Sequence, residues 1–340
     1  MPVSIITAML LAVNYHYLSE DGQRGRAIYP ISLDRFAAQL DDLARGFEFV
    51  SRSDLVAAVE QGAPLPARAC LITFDDGLRQ QVELGLPVLQ QRGIPAVFFV
   101  CGEPLERGRA LFVHKVHQLR ELLPQAELRA SLETELARDG VAIPAIPAHE
   151  PVETYRYDDP DTARFKYLLN VALGSEAAQA IDRLFAEHFD EASFAQRFYA
   201  DADQVRELEA ADALGAHGYC HKPLTRFAPG EARRDLELGA QVLERIAGVR
   251  ARTVSYPYGE FVAVDRTVSA AAAAAGFSVG LTMERAFNQT LDDPLLLARL
   301  DTNDVPGGRN PFFGLDGGSI VLGQGMTRAR AWYFEEEAAA

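Results

Sequence analysis

Apolar runs and amphipathic stretches alternate along the first hundred residues. Ala8–Val13 is an unbroken apolar run, short enough for a strand covered on both faces. Ser32 stands where a helix N-cap belongs, and Phe36, Leu40 and Leu43 recur on one face of the helix behind it. Glu48–Val50 reads as a short strand. Ser53 is placed to cap a second helix, Asp54–Gln61, which Gly62 and Pro64 end. Ala69–Phe74 is another apolar run, and it stops abruptly at Asp75-Asp76-Gly77. Gln80–Arg92 is patterned as a helix closed by Gly93, and Ala96–Val100 is a further buried strand.

The rhythm changes over residues 103–202, a charged, helix-like stretch that we read as a mainly helical insertion. Its middle, Val141–Pro160, carries Pro144, Pro147, Pro151 and Pro160 and predicts loops. The alternation then resumes. Gln204–Ala213 is helical, Leu214–Ala216 leads into His217, and Gly230–Ala247 is helical. Thr253–Tyr256 reads as a strand ending at Pro257. Val262–Ala275 is a strong helix former closed by Gly276. Phe277–Leu281 and Leu295–Leu300 are the last strand candidates. Strand-helix-strand alternation predicts parallel strands wrapped by helices, with the chemistry at the C-terminal strand ends. Asp75 and Asp76 lie at such an end. We expect one α/β domain over residues 1–340.

Composition narrows the partners. The net charge is −15, which a polyphosphate backbone would repel, so nucleic acid is not expected. Cys70, Cys101 and Cys220 are far apart and form no metal or disulfide framework, a pattern that fits a reducing compartment. The N-terminal apolar stretch lacks preceding basic residues and is too short to span a bilayer. These features predict a cytoplasmic protein without a transmembrane segment. The oligomeric state has no sequence signal.

Three short segments carry the chemistry. In His217-Gly-Tyr-Cys-His221 two histidines four apart can share one face of a helical turn and aim at one metal ion. Adjacent carboxylates at Asp75-Asp76 repel each other at the mouth of a buried strand, and a cation held by one Asp and two His would neutralise them. That would leave an open position for water and a second Asp as general base. In Ser255-Tyr-Pro-Tyr-Gly259 a backbone N–H can face an oxyanion. Each segment alone has a plainer reading, as a packed histidine pair or an ordinary turn.

Together, Thr73-Phe74-Asp75-Asp76-Gly77, His217-xxx-His221 and Tyr256-Pro257-Tyr258-Gly259 resemble the successive motifs of the polysaccharide deacetylases, the NodB-homology or carbohydrate esterase 4 group. The resemblance covers roughly Ala8–Val100 and Gln204–Leu300. Asn14-Tyr15-His16-Tyr17, with Phe36 and Gln39-Leu40, also looks like the N-terminal extension of the sugar-modifying branch of that group. The resemblance implies a distorted (β/α) barrel of seven or eight strands. It implies Asp75 as general base, and Asp76, His217 and His221 as ligands of a divalent metal, usually zinc. It also implies the Tyr258 N–H as an oxyanion donor, and hydrolysis of an N-acetyl group from a sugar.

Two departures from the family pattern stand out. Ser255 occupies the position where an Arg usually orients the base, and Arg299 is the candidate substitute. No histidine follows His221 to act as the family's general acid, so His16 is the candidate, with His114, His117, Asp301 and Asp304 behind it. The expected substrate is an N-acylated sugar, carried on a nucleotide or lipid in surface-glycan assembly. A sugar deformylase or other amidase is the alternative enzyme, and an inactive sugar-binding module is the alternative of another class.

Overall fold

The structure, a computed structural model, describes residues 9–155, 158–173, 175–228, 230–316 and 319–322. Ala8, counted above into the first strand, lies outside them. The chain divides into two compact units. One comprises Met1–Gln23, Pro30–Gly108 and Gln196–Ala340, and the other Arg24–Tyr29 with Arg109–Ala195.

The first unit is a parallel sheet curled into a distorted (β/α) barrel. Its strands are β1 (Met9–Tyr15), β2 (Glu48–Phe49), β3 (Arg68–Phe74), β4 (Ala96–Val100), β5 (Leu214–Ala216), β6 (Thr253–Ser255), β7 (Val279–Leu281) and β8 (Leu300–Asp301). The order is β8-β1-β3-β4-β5-β6-β7, with β2 beside the start of β3. One short segment closes the ring, because Leu297 bridges to Leu281 of β7 and Leu300–Asp301 then pairs with Val13 and Asn14 of β1. The expected strand Leu295–Leu300 is thus split. Pro294–Leu296 is a 3-10 turn, since Pro294 has no N–H for a ladder, and the strand proper is Leu300–Asp301.

Period-two alternation sorts each strand between two cores. Leu10, Ala12, Leu71, Val97, Phe99, Leu281 and Leu297 pack together in one cluster, which fills the barrel. Their neighbours Leu11, Val13, Ile72, Phe74 and Phe98 pack outward in the other, with Phe36, Leu40 and Leu43 of helix α1 (Leu33–Leu43). The same alternation carries Asn14, Thr73 and Asp75 onto the barrel-filling face, as the polar continuation of Leu10–Ala12 and Ala69–Leu71.

Several local boundaries differ from expectation. Ser51, not Ser53, caps helix α2 (Arg52–Gln61), in a capping box with Asp54. Ser53 is inside the helix, where its hydroxyl bonds Asp212 instead. The stretch expected as one helix over Gln80–Arg92 opens with a π-helical segment, Gln81–Gly85. The alanine-rich helix starts only at Arg266, because Asp265 caps it.

The second unit is helical, with Phe112–Leu122, Gln125–Arg138, Pro160–Tyr167 and Ser175–His188 as its longer elements. Within Val141–Pro160, expected to be loop, Glu150–Thr154 forms a short helix. Lys115 is 2% exposed and meets Asp182 at 2.6 Å and Glu191 at 2.7 Å, and Arg109 bonds both carboxylates. Among the described residues, no helix of either unit is long and apolar enough to cross a membrane.

Candidate active site

The C-terminal ends of the barrel strands gather the candidate residues into two adjoining groups. Asp75 follows β3 and is 3% exposed. Its carboxylate accepts Arg299 Nη1 at 2.9 Å on one oxygen and Arg299 Nη2 at 2.7 Å on the other, where Asn14 Nδ2 also donates at 3.0 Å. Arg299 is wholly buried. It spends its remaining donors on the Thr282 carbonyl, Thr73 Oγ1 and Ser255 Oγ. The Ser255 hydroxyl, at 2.7 Å, therefore stands where a longer side chain would collide with the incoming guanidinium. Burial pushes the Asp75 carboxyl up, but the Arg299 charge, His217, the Arg299 hydrogen bonds and His16 outweigh it and hold the group at about 2.

The second group is Asp76, His217 and His221, one potential donor atom from each lying within 4.8 Å of the others. His221 Nε2 is 3.1 Å and His217 Nε2 3.4 Å from Asp76 Oδ1. All three residues are buried. His217 Nδ1 is 2.8 Å from the Ser255 carbonyl, which can only accept, so Nδ1 carries a proton and Nε2 is the nitrogen directed at Asp76. Burial pulls the His217 pKa down, but Asp75 and Asp76 overcome it and raise it. One carboxylate and two imidazoles form a donor set suited to a zinc-like divalent cation with a position left open, so the residues present fit such an ion.

The two histidines do not share a helical turn, contrary to expectation. Residues 217–221 form a loop after β5, and His221 turns back at φ 53°. Asp235, buried on helix Glu231–Ala247, holds that loop by accepting the N–H groups of Tyr219 at 2.9 Å and Cys220 at 3.1 Å. Among the described residues, the non-glycine positions with positive φ are Asp76 (78°), Asp212 (56°), His221 (53°) and Tyr258 (63°). Three of these four belong to the site. Such a conformation costs a Tyr or His on the order of 1 kcal/mol, and it persists where the surroundings over-determine it. The Tyr258 ring lies 5.0 Å from that of His221.

His16 follows β1 and is half-buried. It is the residue after Tyr15, whose carbonyl accepts the Asp75 N–H, so His16 and Asp75 stand at neighbouring strand ends. Asp301 is pushed up by burial, against the pull of Asn303 and His16. Asp304 is engaged by Arg285 at 2.8 Å. His114 and His117 belong to the helical unit, their rings 6.1 Å apart. Sequence reasoning missed Asn14, Gln81 and Asp235 as supports. A signal existed for Asn14, a polar residue ending an otherwise apolar buried strand.

The sequence pattern of the family described as polysaccharide deacetylase matches residues 62–143 and 174–280, more than half of the chain. No curated relative matches the sequence. The chain is similar in structure to IcaB from Ammonifex degensii, with 21% identity, 87% of this chain and 92% of that one covered, and a TM-score of 0.54. It is similar to the Streptococcus pyogenes deacetylase PplD in complex with acetate, at 13% identity, 87% and 92% coverage and a TM-score of 0.53. The BpsB deacetylase domain from Bordetella bronchiseptica gives 17% identity, 88% and 98% coverage and a TM-score of 0.51. At these identities the likenesses establish the fold.

Proposed function

The chain belongs to the polysaccharide deacetylase family, and we propose that it is a cation-dependent hydrolase that removes an N-acetyl group from a sugar. The observation that carries this reading is the division of labour between neighbouring aspartates. Asp75 is bound by a buried guanidinium, and Asp76 faces two imidazole nitrogens.

In this reading Asp76, His217 and His221 hold a divalent cation, zinc by donor chemistry. Such a cation supplies polarisation of the amide carbonyl and acidification of water, which a carboxylate held at about 2 requires of its proton donor. Asp75 stays ionised and accepts the proton of the attacking water. Arg299 and Asn14 fix the direction from which it does so. The Tyr258 N–H donates to the oxygen that becomes negative. His16 protonates the departing nitrogen, so that water and amide become acetate and a free amine.

The acetate carried by PplD supports acetyl over formyl as the acyl group. The three free cysteines suit a reducing compartment, and a nucleotide- or lipid-linked sugar of surface-glycan assembly is the substrate class we assign. We read residues 109–195 as an insertion within the barrel's sequence. The site's buried charges and positive φ angles argue against an inactive sugar-binding module, which has no use for them.

The test combines cation content with product release. The purified protein supplied with zinc should bind one equivalent, and Asp76→Ala should bind none. Acetate should be released from a panel of N-acetylated nucleotide sugars, and His16→Gln should lower turnover by about a hundredfold or more with the cation retained. Wild-type protein that binds no divalent cation sinks the proposal, and formate release from N-formyl sugars alone would replace the acyl group.

A further inference from the structure

We propose that Gln81 is a positioning residue that sets the spacing between His16 and Asp75. The proposal rests on reading those two residues as acid and base. The ladder between β1 and β3 has Tyr15 and Phe74 as its last pair, and the Asp75 N–H closes it by donating to the Tyr15 carbonyl at 3.1 Å. His16 and Asp75 are the next residue on each strand, where the pairing ends.

Gln81 takes over at that point. Its side-chain amide donates to the His16 carbonyl at 2.9 Å and to the Asp75 carbonyl at 2.6 Å. Its Oε1 accepts the Leu78 N–H at 3.0 Å. A glutamine amide has two N–H groups and one carbonyl, and here all are directed at backbone. The side chain is fully buried, so it has no face for substrate. One planar group therefore ties the chain after β1 to the chain after β3, at the two residues assigned to proton transfer.

The local backbone explains how Gln81 gets there. Asp76 and Gly77 both have positive φ, at 78° and 64°, and fold the chain back after β3. Gln81 then opens the π-helical segment Gln81–Gly85, a widened turn of the kind that re-aims side chains at functional sites. Methionine would fill the volume and donate nothing. Glutamate would keep the Leu78 bond and set a carboxylate oxygen against two carbonyls.

The test is a double-mutant cycle with an independent readout. Gln81→Met should lower kcat by about tenfold with KM within about twofold, because a displacement of under an ångström is enough to misplace a proton donor. In the His16→Gln background the same change should cost less than about twofold. Cation affinity should match wild type. The pH profile of kcat should change shape in Gln81→Met and stay as it is when the same change is made in the His16→Gln background. Equal losses in the two backgrounds, loss of the cation, or an unchanged pH profile each overturns the proposal. Should Gln81→Met fail to fold, Gln81→Glu takes its place under the same criteria. A wild-type protein without deacetylase activity would defeat the proposed function, whereas an active wild type with equal losses in the two backgrounds would defeat the role of Gln81 alone.

Discussion

The barrel and the helical unit each bury charge, and they balance it differently. In the helical unit Lys115 and Arg109 meet Asp182 and Glu191, two cations against two carboxylates, with Lys115, Asp182 and Glu191 on helices and Arg109 on the short connection before Phe112. In the barrel Arg299 pairs with Asp75, Asp76 faces the two imidazoles of His217 and His221, and the backbone at Asp76, His221 and Tyr258 has positive φ. A balanced cluster on regular backbone needs nothing further and is explained by folding alone. An unbalanced one on strained backbone asks for another cation, and folding alone does not explain the strain. The contrast supports the barrel's strand ends as the proposed site.

The largest expected effect tests the charge in the barrel. Arg299→Met leaves the Asp75 carboxylate buried beside Asn14, and should cost about 3–5 kcal/mol of stability by urea denaturation as well as most of kcat. Adding Asp75→Asn should recover more than half of that stability and none of the activity. Full activity in Arg299→Met would break the comparison.

Acid comes next. The folded Asp75 pKa lies below its ordinary value, so its contribution of about 2 kcal/mol is present above the ordinary carboxylate range and is lost as pH falls toward 2. Burial pushes Glu191 up, but Lys115 and its neighbours outweigh it and depress the pKa, so its contribution has the same sign. Stability followed by far-UV circular dichroism should thus fall from about pH 4 downward. In Arg299→Met, burial no longer opposed by the guanidinium should push the Asp75 carboxyl up, so its contribution should change sign and the loss of stability toward acid should become shallower; an unchanged slope would count against the pairing.

In the helical unit, Lys115→Met should cost about 1–3 kcal/mol, since its partners are partly exposed, and leave kcat/KM within about threefold. A collapse of activity there would show that the two clusters are coupled. The smallest effect concerns the strained loop. Asp235→Asn replaces an acceptor of two loop N–H groups by a side chain with only one acceptor oxygen, and should weaken cation affinity by about tenfold in a competition titration, with little change in the melting temperature of the cation-free protein.

Much of this site is legible along the chain. The apolar run before Asp75 predicts a buried strand, and its abrupt end places both aspartates at a strand terminus, where barrels keep their chemistry. The two histidines are visible by type. Their geometry is not, because four residues can be one helical turn or a loop, and Gly218 with Asp235 selects the loop. Likewise Ser53 reads as the cap along the chain, and the reciprocal bonds between Ser51 and Asp54 start the helix two residues earlier.

What the sequence determined by itself was therefore local: the period of each element, the face on which Asn14, Thr73 and Asp75 fall, and the residue types at the strand ends. These follow from neighbours a few positions apart, which backbone geometry links directly. The resemblance nominated Arg299 as the charge partner of Asp75, but the contact itself was decided by tertiary structure. Arg299 lies 224 positions along the chain and reaches the carboxylate only because residues 297–301 close the ring between β7 and β1. Electrostatic attraction acts through space, and the chain's path through space is settled by packing the barrel, not by any pattern within a strand.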